Sequence, residues 1–142
     1  MHGFASSTGI FLAFRLGPGQ NLTEGLRQVF AASGTQAMAV VTGVGSLTDV
    51  VIRHANQPEG TAYSGHFEIT SLTGTLDAKH QHLHLTIADE RGRAFGGHLL
   101  PQGSAVFTTA EIMVLALPGL HFDRQPCPLS GYDELVVSAR PA

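Results

Sequence analysis

The chain has 142 residues, 43% of them hydrophobic and 13% charged, with a formal net charge of −3 and a single cysteine. That length suits a single domain over residues 1–142 with a sizeable core, and a charge content this low for a soluble chain points to surface covered by sister subunits. The eight Lys and Arg residues are scattered, which disfavours direct nucleic-acid binding; one cysteine excludes an intrachain disulfide and fits a reducing, cytoplasmic setting; and the apolar run at 10–14 is too short for a membrane span or a signal core.

In chain order, Ile10 to Leu16 reads as a first strand ended by Gly17-Pro18-Gly19. Asn21, with Glu24 three residues on, has the form of a helix N-cap and capping box. Leu22, Leu26, Val29 and Phe30 recur at helical spacing and Gly34 closes the segment, giving one amphipathic helix of about three turns. From Gln36 onward the pattern is β, with segments at 37–42, 47–53, 65–72, 75–76, 82–88, 94–99 and 105–117 separated by turns that glycines mark. Seven or more short strands with one main helix predict an α+β domain built on a largely antiparallel β-sheet. The long apolar run at 108–117 reads as a central strand buried on both faces. Residues 118–132 carry Pro118, Pro126 and Pro128 together with His121, Cys127 and Tyr132, and read as a long loop acting as a flap or contact arm, with Cys127 a loop residue.

The densest chemical signal is His82-Leu83-His84 followed by Gly96-Gly97-His98. Leu83, Leu85 and Ile87 alternate with His82, His84 and Thr86, so both histidines share one face of a strand. Asp89-Glu90-Arg91-Gly92-Arg93 then reads as a hairpin with a three-residue loop and Gly92 in the left-handed position. Pairing Asp89 with Arg93 places His84 opposite His98 and His82 diagonal to it. Opposed Cβ atoms about 5 Å apart and diagonal ones roughly 7–8 Å apart let three imidazoles reach one metal ion about 2.0–2.1 Å from each nitrogen. The glycine pair marks either a bulge or a close backbone approach. His80 shares the face but lies about 13 Å along the strand from His84. The competing reading makes these histidines polar residues of a solvated or subunit-facing surface.

Metal chemistry would want a carboxylate near the ion. Glu68 is the first candidate, as a partner to a ligand histidine or as general base, with Glu111 second; His66 is a possible further imidazole. No cysteine or carboxylate stands at ligand spacing within the hairpin, so a fourth position falls to water, a neighbouring loop or another subunit.

The blocks Gly65-His66-Phe67-Glu68-Ile69-Thr70-Ser71-Leu72-Thr73-Gly74-Thr75-Leu76, His82-Leu83-His84, Ala88-Asp89, Gly96-Gly97-His98-Leu99 and Thr109-Ala110-Glu111 resemble the plants and prokaryotes conserved domain. The resemblance covers about 11–137. In plants this domain follows AT-hooks in nuclear proteins; in bacteria and archaea it stands alone, often under a DNA-binding label. It implies an α/β sandwich-like domain assembled as a homotrimer, with metal in some prokaryotic members held by histidines matching His82, His84 and His98. Plant members carry Arg, used in partner contacts, where this chain has His66, and Leu where it has Thr70. The AT-hook core Arg-Gly-Arg-Pro is not matched, since Arg91-Gly92-Arg93 is followed by Ala94.

Two functions follow as expectations. The first is a small zinc-binding homotrimeric domain, zinc standing for any suitable divalent transition metal, that acts as a binding or regulatory module. The second is a metal-dependent hydrolase or lyase in which three histidines hold a zinc-bound water and Glu68 serves as general base.

Overall fold

The structure, a computed structural model, describes residues 3–141. Strand β1 (Ile10–Leu16) leads into helix α1 (Leu22–Ser33). Strands β2 (Met38–Arg53), β3 (Thr61–Leu76), β4 (Gln81–Ala88), β5 (Ala94–Ala116), β6 (Leu120–Pro126) and β7 (Asp133–Ala139) follow. This is the α+β arrangement with a mainly antiparallel sheet that the pattern predicts.

The helix starts where Asn21 accepts the Glu24 N–H at 2.9 Å and stops at Gly34, whose φ of 65° lets its N–H reach back to the Ala31 carbonyl. Leu22, Leu26 and Phe30 are buried along one stripe. On its flank, Arg27 donates to the carbonyls of Asp77, Ala78 and His80 at 2.7, 2.9 and 3.1 Å, fastening the helix to the β3–β4 turn.

Five strands pair in the order β1-β5-β2-β3-β4, and β4 pairs again with β5, so that β2, β3, β4 and β5 close into a ring. Leu47, Ile52, Leu72, Leu83, Leu85 and Ile87 are fully buried on the inner side of these strands. Strands β6 and β7 form a separate two-stranded sheet, and Leu120 and Phe122 build a smaller apolar cluster with Ala37.

Three sequence expectations change here. The pairs of short segments at 37–42 and 47–53, 65–72 and 75–76, and 94–99 and 105–117 are single long strands, β2, β3 and β5. Gly45 and Gly74 lie inside strands at φ 145° and 150°, where a Cβ would run into the carbonyls of Thr109 and His82. They permit close backbone approach at bends and bulges rather than chain reversal. Secondly, 108–117 is buried on one face only: Ala110, Ile112, Val114 and Ala116 point inward, while Met113 is 41% exposed on the other side. Finally, 118–132 is not a long loop. Leu120–Pro126 is a strand paired with β7, leaving the Pro118-Gly119 turn and the connection from Cys127 to Tyr132, the latter closed by the Cys127 N–H on the Tyr132 carbonyl at 2.9 Å. Cys127 is a loop residue, as its flanking prolines predict.

Among the described residues, no helix is long and apolar enough to cross a membrane.

Asp77, in the β3–β4 turn, is 3% exposed. Its carboxylate accepts the N–H groups of Lys79 and His80 at 2.8 and 2.7 Å and meets Arg124 Nε of β6 at 3.1 Å. Burial pushes this carboxyl up, but those hydrogen bonds and the neighbouring charges outweigh it and hold the group below its ordinary 3.8. A depressed carboxyl stabilises the fold above the unfolded value and loses that contribution as pH falls through the folded one. Asp77→Ala leaves the Arg124 guanidinium buried without its counter-charge and is expected to cost about 3–5 kcal/mol in denaturant unfolding. Asp77→Asn should cost less and remove part of the acid-induced loss of stability below pH 3.8.

Candidate metal centre

The β4–β5 hairpin is built from its turn outward. Asp89 accepts the Arg91 and Arg93 N–H groups at 2.9 and 3.0 Å and pairs with the Arg93 guanidinium at 2.7 Å. Gly92 sits at φ 75°, so the three-residue loop closes as its sequence predicts. Ala88 then faces Ala94, and the register runs without a bulge through Thr86↔Gly96 and Leu85↔Gly97 to His84↔His98. The glycine pair serves close approach. A Cβ on Gly96 would enter the Leu85 carbonyl, and one on Gly97 would stand 2.6 Å from the Arg53 carbonyl oxygen.

The same register extends across four strands. Thr73 faces His84, His84 faces His98, and His98 faces Arg53, while Thr75 faces His82. Directly opposed residues project from the same side of a sheet. This row therefore lies on the outer side of the ring, behind the buried leucines. The ring centroids of His82, His84 and His98 are 5.0, 5.1 and 5.9 Å apart, and one ligand nitrogen from each lies within 4.8 Å of the others. The Nε2 atoms of His82 and His84 are 3.3 Å apart. Two imidazole nitrogens on a tetrahedral ion about 2.0–2.1 Å away would be separated by about 3.3 Å. The donor set and spacing fit a divalent transition metal.

A scan of family models matches residues 4–118 to the Plants and Prokaryotes Conserved (PCC) domain. The chain belongs to the PCC-domain family. It is 44% identical over 123 residues to the bifunctional protein GlmU of Synechococcus sp. (strain JA-2-3B'a(2-13)), an alignment that covers 87% of this chain and 19% of that protein. The chain thus spans about a fifth of the length of the curated relatives it matches first. Among solved structures, a protein from Salmonella cholerae-suis superposes with a TM-score of 0.92 at 44% identity, covering 96% of this chain and 99% of that one. A metal-containing protein from Archaeoglobus fulgidus superposes with a TM-score of 0.75 at 25% identity, covering 96% and 98%.

Other residues singled out from the sequence of this PCC domain lie elsewhere. Glu68 pairs with Ala88, four residues along β4 from His84 and so about 13 Å away, beyond hydrogen-bond reach of the triad. Glu111 lies far along β5, opposite Arg15 and Val44. His66 stacks on Phe107 at 4.4 Å and meets Glu90 at 3.1 Å. His80 borders the triad but faces Asp77 at 3.5 Å. Among the described residues, no carboxylate or carbonyl accepts a hydrogen bond from the second ring nitrogen of His82, His84 or His98.

Sequence reasoning missed the groups that do surround the triad. The β6–β7 hairpin brings Arg124, Tyr132 and Glu134 against it, and with Arg53 they line a cleft of about 320 Å³ beside His82 and His98. A second cleft, about 490 Å³, opens on the far side past His84, between Arg53, His54 and Tyr132. The alternation of Leu120 and Phe122 and the Leu135-Val136-Val137 run were the available signals for these strands.

Burial, followed by the charges of His82, Arg53 and His84, pushes the His98 imidazole down to about 4. Burial also lowers His82, helped by His84, Arg124 and Arg53 and opposed by Glu134. Both rings are therefore neutral at pH 7, the form that binds metal. In metal-free protein the unfolded chain holds more protons at His98 than the folded one between pH 6.5 and about 4, so stability should fall on acidification across that window. Denaturant midpoints of chelator-treated protein check the trend, and His98→Gln should flatten it.

Proposed function

We propose that this PCC domain is a zinc-binding homotrimer that acts as a binding or regulatory module, with His82, His84 and His98 holding the metal. The observation that carries this reading is the convergence of three imidazoles, with ligand nitrogens within 4.8 Å of one another, on an outward face beside two clefts. The metal-containing Archaeoglobus relative supports it. Imidazole ligands suit several divalent metals, and zinc is the first assignment because it accepts three protein ligands with one position open. Self-association is supported by the outward face of β1, β5 and β2, where Phe11, Val44 and Met113 are 64%, 57% and 41% exposed. A cytoplasmic location is part of the same proposal, supported by the lone cysteine, which suits a reducing compartment.

A second reading, a metal-dependent hydrolase or lyase, is favoured by the open clefts. When bound, the metal would supply Lewis acidity. The carboxylate placed to take up a proton is then Glu134, which lines clefts on both sides of His82, rather than Glu68.

Metal content per subunit of untagged protein tests the first reading. About one zinc per subunit is expected for the native chain and none for His84→Ala; full zinc in that variant would overturn the ligand assignment. Light scattering coupled to size exclusion should give a trimer mass, and Met113→Asp should shift the population to monomers by placing a charge in the apolar contact.

A further inference from the structure

The cleft between the triad and the β6–β7 hairpin is lined by two arginines whose donors the protein leaves partly unused. Arg53 stands directly opposite His98 on the outer face, and among the described residues its guanidinium makes no hydrogen bond or ion pair. Arg124 is held from behind, Nε on the Asp77 carboxylate at 3.1 Å and Nη2 on the Thr75 hydroxyl at 3.3 Å. Its Nη1 has no protein partner among the described residues, and the side chain borders the same cleft. Asp133 and Glu134 also border that cleft, yet neither reaches ion-pair distance of either arginine.

We propose that this cleft binds a small ligand through an oxyanion group, carboxylate or phosphate, gripped by Arg53 and Arg124 beside the histidine triad. A guanidinium fork matches either group with paired N–H donors. Arg124 is fixed in advance by Asp77 and Thr75, so little side-chain freedom is lost when it engages a ligand. At about 320 Å³ the cleft lies at the small end of ligand sites and admits a molecule of few heavy atoms. Asp133 and Glu134 on the hairpin side repel a second negative group and offer acceptors instead. The ligand is therefore anionic at one end only, with hydroxyl or amine donors at the other. This deepens the metal reading and rests on it only for a further positive charge; the two guanidiniums are present without a metal.

The test is calorimetric titration of inorganic phosphate and, separately, of lactate into the full chain, zinc-loaded and chelator-treated, with zinc content measured in parallel. At least one anion is expected to bind. Arg53→Gln should weaken that binding about tenfold or more without changing zinc content, while Arg91→Gln, in the hairpin loop, should leave it unchanged. Preference for phosphate or for lactate identifies the headgroup. The proposal is overturned if neither anion binds in either form, or if Arg53→Gln binds as the native chain does. If zinc is not taken up while Arg53-dependent anion binding persists, the metal reading fails and the anion site stands.

Discussion

Asp77 is 3% exposed, accepts two backbone N–H groups of its own turn and meets Arg124 at 3.1 Å, so one carboxylate joins chain segments that no strand pairing connects. Arg27 of the helix grips the carbonyls of the same turn. The turn thus sees a guanidinium from either side: one reads its carbonyls and the other its carboxylate. A buried ion pair adds little stability over an apolar isostere but is strict about geometry. Here that geometry fixes how the β6–β7 hairpin sits against β3 and β4, and hence which side chains border the histidines.

The triad depends on this in a second way. His82 and His84 lie on β4, His98 on β5, and their mutual positions are set by a ladder that begins at the Asp89 turn. Turn and ladder would hold the three rings together without the hairpin, but on an open surface. The hairpin turns that surface into the walls of clefts and sets Arg124 and Glu134 beside His82, where they act on its imidazole in opposite directions. The geometry of the triad is thus local in origin, whereas the charges around it come from β2 and the β6–β7 hairpin.

That division explains what could be read from the residues. Period-two alternation, a turn with a left-handed glycine and a count of positions are enough to bring His84 opposite His98. Helix capping is equally local, and Asn21 and Gly34 perform as their chemistry dictates. The lengths of β2, β3 and β5 were not legible in the same way. Gly45 and Gly74 look like turn residues, and only the neighbouring strand reveals that they accommodate a backbone in contact. Residues 118–132 misled because the prolines dominate their composition, whereas Leu120 and Phe122 become informative only once their cluster with Ala37 is seen. Glu68 shows the reverse error. It lies on a strand bordering β4 and on an exposed face, but distance along a strand is not visible until the register is known.

The histidines occupy the outer side of a closed ring of strands, with Leu83 and Leu85 directly behind them completing the core. In small zinc-built domains the ion replaces a core, and the chain unfolds when it leaves. Here the apolar interior is complete on the opposite side of the same strands. An ion held by the proposed triad would therefore be a ligand whose release need not open the fold. Occupancy would then follow the supply of free metal around the protein, and loading and unloading would leave the architecture unaltered.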